Sequence, residues 1–218
     1  MAYGDTPHDE VLNEAWARFC DNLKAVGPRV FDDPAPATAL DRARGFQMLS
    51  QNISLGLDVG LEYADAMYPQ FFRMMTPTRK YGGDNPDCIY LRAYVSGEQT
   101  YRIVGNRGGV HYLVFSLYRA KETLPPGELS EIGRILGSEL QTEWDGSFQI
   151  VISPDEHPGN WIKSTPDASY IQIRQFVGDW AEEEPISVRS ERVGQDEPPP
   201  RISPARVAEG LAAASDWV

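Results

Sequence analysis

The first third of the chain carries apolar residues at helical spacing. One stripe predicts an amphipathic helix from Asp9 to Val26. Its apolar members recur every three or four positions: Leu12, Trp16, Phe19, Leu23 and Val26. A second helical pattern begins at Thr38, which stands three residues before Asp41 as in a capping box, and extends to Met67. We therefore expect a helical N-terminal region.

Further along the chain the hydrophobic period changes to that of strands. Residues in Cys88–Val95 alternate between apolar and polar or aromatic types, as in a strand with one buried face. Similar runs at Thr100–Gly105 and Val110–Tyr118 follow after short polar loops, which predicts an antiparallel meander. Leu129–Leu140 has its leucines and isoleucine at helical spacing and predicts a short helix. The later strands are predicted at Ser147–Ser153, Trp161–Lys163, Ser169–Val177 and Ile186–Val193.

These elements together predict an α+β fold. We expect N-terminal helices packed on an antiparallel β-sandwich of jelly-roll type, because seven short strands are punctuated by turns. The predicted division is a helical region over residues 1–75 and a sandwich domain over residues 76–194. Residues 195–218 then form a proline-rich linker and a short helix at Pro204–Ala214.

Composition narrows the class of partner. The net charge of −12 disfavours nucleic acid, since phosphate binding needs a basic face. The N-terminus lacks a signal pattern and no apolar run reaches membrane-spanning length, so we expect no membrane insertion. Cys20 and Cys88 lack metal-type spacing, which favours reduced thiols and a cytoplasmic location. A homodimer is compatible with the sequence.

Five segments of the chain resemble a bacterial family known as domain of unknown function 1214. They occur in the family's order: DNPDCIYLRA at Asp84–Ala93, YRIVGNRGG at Tyr101–Gly109, WDGSFQIVIS at Trp144–Ser153, HPGNWI at His157–Ile162 and IRQFVGDWAEEEP at Ile173–Pro185. The resemblance covers about half the chain and implies a β-rich domain, but no established reaction. It departs from the family at Cys88, where asparagine is usual. Longer members of the family imply that this chain is a short form or a fragment.

The turn after Gly83 offers the first candidate chemistry. Asp84 and Asp87 could share acid–base work or hold a divalent cation, with Asn85 beside them as a polar contact. The alternative is structural, since aspartate and asparagine side chains also bind nearby backbone N–H groups in turns. We expect no organic cofactor, and a divalent metal is the weaker alternative for this turn.

Basic and imidazole groups complete the predicted catalytic set. Arg107 lies in a glycine-rich bend, where it could clamp an acidic group on a substrate or pair with Asp84 or Asp87. His111 is a candidate general base by its intrinsic pKa, although a lone histidine on a strand is more often structural. The acidic run Glu182–Glu184 is predicted to be solvated surface.

Aromatic side chains among the motif segments predict an amphipathic pocket for a small lipophilic molecule. Arg174 is a candidate for its polar end, with an ion pair to Asp179 as the structural alternative. The other predicted contacts are Asn85, Tyr90, Tyr94, Tyr101, Tyr112, Asn160 and Trp161.

Two functions fit this pattern. One is an enzyme without an organic cofactor, a lyase, isomerase or hydrolase that performs acid–base chemistry on a lipophilic substrate. The alternative is a non-catalytic ligand-binding or assembly module. An enzyme requires the predicted polar groups to converge in one site with displaced pKa values. A binding module predicts that they are paired separately at strand ends.

Overall fold

The computed structural model describes residues 7–32, 37–120 and 130–218, which form two compact units. The helical unit comprises the described part of Met1–Ala64 together with Thr78–Gly82 and Pro199–Val218. The sheet unit comprises Asp65–Pro77 and the described part of Gly83–Pro198. The predicted α+β class with a sheet-rich core is thereby confirmed.

The helical unit contains three α-helices. They are α1 at Pro7–Val26, α2 at Ala39–Leu57 and α3 at Pro204–Trp217, with a 3₁₀ turn at Gly27–Phe31 and a π-helical turn at Asp58–Glu62. The Thr38 hydroxyl caps α2 by accepting a hydrogen bond from the Asp41 N–H, as its spacing predicted. The second helical stretch was predicted to extend to Met67 but ends at Glu62.

The C-terminal helix belongs to the same unit as the N-terminal helices. Phe19 of α1 packs with Leu211 and Ala214 of α3 in a small apolar core. Gly60 lets the π-helical turn pack against the same helix, because a Cβ there would lie 2.5 Å from the carbonyl oxygen of Gly210 in α3. The helices are thus not all N-terminal. The helix predicted at Pro204–Ala214 is present as α3, but its packing with α1 joins distant parts of the sequence, so the local pattern did not show it.

The sheet unit contains two sheets. The five-stranded sheet has the order β1-β2-β8-β4-β5 and the four-stranded sheet the order β7-β6-β3-β9. All neighbours are antiparallel except β6 and β7, which are parallel. The strands are β1 Phe72–Arg73, β2 Cys88–Tyr94, β3 Tyr101–Asn106, β4 Tyr112–Arg119, β5 Glu131–Leu136, β6 Ser147–Ser153, β7 Asn160–Lys163, β8 Ala168–Phe176 and β9 Ser187–Arg192.

One hydrophobic core joins the two sheets. The rings of Phe115 on β4 and Phe148 on β6 meet edge to face, with centroids 5.5 Å apart. Ile103, Ile150 and Ile173 are fully buried in the same cluster. Since each strand points alternate residues to opposite faces, the other residues of both sheets face outward.

Two local predictions were wrong. β2, β3 and β4 do not form a meander, because β3 lies in the other sheet and β8 lies between β2 and β4. The helix predicted at Leu129–Leu140 is replaced by β5, which pairs with β4, and Leu129 lies outside the described residues. Ile132 and Ile135 are β-branched, and the ladder with β4 outweighs the helical spacing of the leucines.

Candidate functional site

The outer face of the five-stranded sheet is rich in tyrosine and arginine. Register places Arg174 between Tyr90 and Val114, Gln172 between Arg92 and Ser116, and Tyr170 between Tyr94 and Tyr118. We call this surface the tyrosine–arginine face. It consists of Tyr90, Arg92 and Tyr94 of β2, Tyr112, Val114, Ser116 and Tyr118 of β4, and Tyr170, Gln172, Arg174 and Phe176 of β8.

The aromatic rings on this face pack against one another. Tyr118 and Tyr170 stack with centroids 5.0 Å apart and an interplanar angle of 15°. Tyr94 meets Tyr170 edge to face at 6.4 Å, and Tyr112 meets Phe176 in the same way at 5.5 Å. Ring packing of this kind holds the side chains in place, so the face is preformed.

Two guanidinium groups lie over these rings. The guanidinium carbon of Arg92 lies 4.0 Å from the ring centroid of Tyr170, and its Nη2 donates to Oε1 of Gln172 at 3.0 Å. The guanidinium carbon of Arg174 lies 5.8 Å from the centroid of Tyr118. Both arginines therefore extend toward the same tyrosine stack, where they add positive charge to an aromatic surface.

The floor of the face is buried and its rim is partly exposed. Val114, Ser116 and Gln172 are buried, whereas Tyr112 is 43% exposed. Burial raises the pKa of Tyr170 more than the Arg92 guanidinium lowers it. Burial likewise raises the pKa of Tyr90. Both phenols are therefore protonated at neutral pH and can donate a hydrogen bond to a ligand.

The turn at Asp84–Asp87 lies at the start of β2, next to this face. Its Asn85 side chain accepts from the Asp87 N–H at 2.8 Å, which is the local turn bond expected of asparagine. The Asn85 N–H donates to the hydroxyl of Tyr90 at 3.2 Å. Asp84 is half-buried in the same turn, while Asn85 and Asp87 are exposed. The structure thus joins Asn85 to Tyr90 but gives Asp87 a different partner.

That partner belongs to the loop after β8. The Trp180 indole N–H donates to a carboxylate oxygen of Asp87 at 3.0 Å, and the Val177 N–H donates to the Asp87 carbonyl at 2.9 Å. These bonds tie the start of β2 to the end of β8. Asp87 therefore has a structural role that the sequence left as one of two alternatives.

Arg107 is held within its own loop. Its guanidinium donates to the carbonyls of Gly108 and Val110 at 3.3 Å and 3.4 Å. It forms no ion pair with Asp84 or Asp87, the structural alternative considered from the sequence. Gly108 has a φ of +62°, and a Cβ there would lie 2.3 Å from the carbonyl oxygen of Glu184. The glycines thus bring this loop against the segment after β8.

His111 is exposed at the same end of the sheets. Its backbone N–H and that of Gly178 both donate to one carboxylate oxygen of Glu183 at 2.9 Å. The bond from Gly178, followed by that from His111, holds the pKa of Glu183 below its ordinary value. The prediction that this acidic run is only solvated surface was wrong for Glu183, because its carboxylate ties two loops together. A long-range contact of this kind leaves no mark in the sequence.

Asn160 and Trp161 lie on the other sheet. Asn160 accepts from the Gln141 N–H at 2.8 Å and donates to the carbonyls of Gln141 and Gln149 at 2.8 Å and 2.9 Å. The Trp161 indole donates to the Ser153 hydroxyl at 3.2 Å. Asn160 and Gln141 line a groove of about 500 Å³ on that sheet. Because the Asn160 side chain forms hydrogen bonds with these backbone groups, it positions the wall of the groove.

Tyr101 is a further predicted contact that is not on the tyrosine–arginine face, and Arg174 lies on the face without its predicted partner. Tyr101 is fully buried in the core, where its hydroxyl donates to the Ala66 carbonyl at 2.9 Å. Arg174 is on the face but forms no ion pair with Asp179, whose carboxylate accepts from the Ala181 N–H. Sequence reasoning missed Arg92, Gln172 and Tyr170, although alternation within β2 and β8 places them beside residues that it did select.

The described residues contain no cluster of three or more histidine, cysteine or acidic side chains that could hold a metal ion. Cys20 and Cys88 are free thiols, and burial raises the pKa of Cys88. None of the described helices has both the length and the apolar character that crossing a membrane requires.

No family model matches the chain, and no curated protein matches it, so the resemblance to domain of unknown function 1214 stays a prediction. Among solved structures, the chain is similar to an uncharacterized protein from Burkholderia cenocepacia, with 34% identity and a TM-score of 0.89. That alignment covers 96% of this chain and 58% of the other. The VPA0106 protein from Vibrio parahaemolyticus aligns at 12% identity over 73% of this chain and 46% of its own, and its TM-score of 0.37 does not indicate a shared fold. The chain therefore shares its fold with the Burkholderia protein and spans 58% of that protein's length.

Proposed function

We propose that the chain is a ligand-binding module that holds a small lipophilic or aromatic molecule on its tyrosine–arginine face. One observation carries this proposal. Four predicted binding residues, Tyr90, Tyr94, Tyr112 and Arg174, share that face, whereas Asp87 and Arg107 are engaged in separate local contacts. Separate pairing at strand ends is what a binding module requires of the polar turns.

The chemistry of the face supports a flat, largely apolar ligand. The Tyr118–Tyr170 stack and the Tyr112–Phe176 pair offer ring faces and edges to a second aromatic system. Phenol hydroxyls at Tyr90 and Tyr170 add hydrogen-bond donors at its margin. The proposal needs no organic cofactor.

Native mass spectrometry of the purified protein, compared with its denatured mass, gives the first test, because a retained organic molecule would identify the ligand class. The site is then tested by calorimetric titration with 2-naphthol. Replacing Tyr112 by alanine removes one exposed ring of the face and is expected to weaken binding about threefold to tenfold. Trp144→Ala is the control, since Trp144 is 97% exposed in the turn before β6 of the other sheet. Equal loss in both variants, or no binding by the wild type, would refute the proposal.

Acid–base chemistry on the bound molecule is the second candidate function. It is favoured by the position of Asp87 and His111, which lie in loops next to Tyr90 and Tyr112 at one end of the face. The enzyme proposal predicts that a molecule retained by the protein is converted on incubation. It also predicts that Asp87→Asn, Arg107→Lys or His111→Asn reduces the conversion. Full turnover in all three variants would exclude these residues as the catalytic set.

We also propose membership of the domain of unknown function 1214 family and a jelly-roll-like arrangement of the two sheets. Supporting this, all five motif segments bond to one another in the sheet unit, where the third and fourth pair as β6 and β7. The Arg107 N–H donates to the Gly146 carbonyl, the Gly109 N–H to the Glu184 carbonyl, and Trp180 to Asp87. Because these hydrogen bonds hold the sheet unit together, members of one family should retain the order and spacing of the segments that form them. An alignment in which these contacting pairs vary independently would contradict the assignment.

A further inference from the structure

Arg92 and Arg174 differ from two other arginines of their sheet. Arg119 at the end of β4 lies 3.3 Å from Asp167, and Arg134 on the edge strand β5 lies 3.5 Å from Glu131. In the middle of the sheet, Arg92 and Arg174 form no ion pair with any carboxylate of the part of the chain that the structure describes. Among the described residues, these two charges therefore lack the carboxylate partner that Arg119 and Arg134 have.

The register of the sheet brings the Arg92 and Arg174 charges close together. Arg92 pairs in register with Gln172, so Arg174 is its diagonal neighbour on the same face. Diagonal neighbours in an antiparallel sheet are roughly 7–8 Å apart, within the reach of long side chains. Both guanidinium groups also approach one tyrosine stack, Arg92 at Tyr170 and Arg174 at Tyr118.

Both arginines are half-buried in a protein whose net charge is −12. Two like charges that lie close together and partly away from water repel each other. The arrangement is unfavourable unless a group of opposite charge binds beside them. The phenols cannot supply that charge at neutral pH. The Tyr118 hydroxyl instead donates to Glu131, which already lies beside Arg134.

We propose that the ligand of the tyrosine–arginine face carries an acid group, a carboxylate or sulfonate, which Arg174 and Arg92 bind while its aromatic or lipophilic body packs on the tyrosines. The planar guanidinium fork matches two oxygens of such a group. Arg174 is the principal contact because its guanidinium makes no hydrogen bond within the described residues, whereas Arg92 is partly engaged by Gln172. This inference rests on the proposed function and specifies its ligand.

The test compares two probes of the same shape and different charge, 2-naphthoate and 2-naphthamide, by calorimetric titration. Wild-type protein is expected to bind the anion at least tenfold more tightly, since charge-assisted hydrogen bonds are about twice as strong as neutral ones. Arg174→Gln should weaken 2-naphthoate on the order of tenfold and leave 2-naphthamide unchanged. Arg189→Gln is the matched control, because Arg189 is exposed on β9 of the other sheet.

A second measurement needs no variant. Raising the salt concentration should weaken 2-naphthoate binding and leave 2-naphthamide binding nearly constant, because only the former depends on charge. Equal affinity for both probes, with no effect of Arg174→Gln or of salt, would overturn the acid-group inference and leave the aromatic face as a binding site. Failure of both probes to bind would overturn the proposed function itself.

Discussion

The Trp180 indole donates a hydrogen bond to the Asp87 carboxylate at 3.0 Å and so joins the turn before β2 to the loop after β8. The two residues are 93 positions apart in the sequence. Asp87 thus uses its carboxylate as an acceptor within the fold. This bond gives the turn a structural role.

Two substitutions of Asp87 should distinguish the effect of its hydrogen-bond acceptor on stability from the effect of its negative charge. Asp87→Ala removes the acceptor and is expected to lower the free energy of unfolding by about 0.5–1.5 kcal/mol. Asp87→Asn keeps an oxygen that can accept from Trp180 and should cost less. Urea unfolding followed by tryptophan fluorescence measures both. Equal destabilisation by the two variants would show that charge, and not the hydrogen bond, is what matters at this position.

Glu183 should give the protein part of its acid sensitivity. The N–H groups of Gly178 and His111 bind its ionised carboxylate, which lowers the folded-state pKa. The resulting stabilisation is present above the ordinary glutamate pKa of about 4.3 and is lost as the pH falls through the lower folded-state value.

Glu183→Gln should therefore destabilise the protein at neutral pH and reduce the loss of stability on acidification. Urea unfolding at about pH 7 and about pH 3 measures the change on either side of the glutamate pKa. Glu182→Gln is the matched control, since Glu182 is exposed in the same acidic run. A Glu183→Gln variant with the acid dependence of the wild type would contradict the role assigned to this carboxylate.

Gly60 should be intolerant of any side chain. A Cβ at this position would lie 2.5 Å from the Gly210 carbonyl oxygen and 2.7 Å from the Ala214 nitrogen, both backbone atoms of α3. Because these backbone atoms could shift only by distorting α3, Gly60→Ala is expected to lower the free energy of unfolding by about 1–3 kcal/mol. Thermal unfolding followed by circular dichroism in the helical band measures this. Gly83→Ala is the comparison, since a Cβ there meets no atom within 4 Å, and an equal loss in both variants would refute the packing argument.

Ser116 and Ser164 should respond in opposite ways to loss of their hydroxyls. Ser116 is 1% exposed, and its hydroxyl has no hydrogen-bond partner in the described part of the chain. The Ser164 hydroxyl donates to the Gly97 carbonyl at 2.8 Å. Ser116→Ala should therefore leave stability unchanged or raise it, whereas Ser164→Ala should lower it by about 1 kcal/mol. Chemical unfolding measures the free energy of unfolding of both variants. A clear loss of stability in Ser116→Ala would show that the Ser116 hydroxyl has a hydrogen-bond partner.

The sequence predicted individual strands better than their arrangement. The limits of β6 were predicted correctly, and the alternation in Cys88–Val95 correctly placed Tyr90 and Tyr94 on one face of β2. The insertion of β8 between β2 and β4 was not predictable from local pattern, because it depends on pairing between residues about 80 positions apart. Without that pairing, Arg92 and Tyr170 could not be recognised as neighbours.

The candidate site was predictable to a similar extent. Side chains that share a face by alternation, such as Tyr90 and Arg174, were selected from residue type alone. Tyr101 was selected for the same reason but faces the core, since aromatic type does not reveal which face of a strand is buried. Contacts between loops, such as those of Glu183 with His111 and Gly178, arise only from the fold.

We propose that a small aromatic molecule binds on the tyrosine–arginine face. This binding is tested most directly by a titration with 2-naphthol observed through backbone amide NMR shifts. The largest shift changes are expected on β2, β4 and β8, around Arg92, Ser116 and Gln172. Shift changes confined to the groove lined by Gln141 and Asn160, or no saturable change at all, would contradict it.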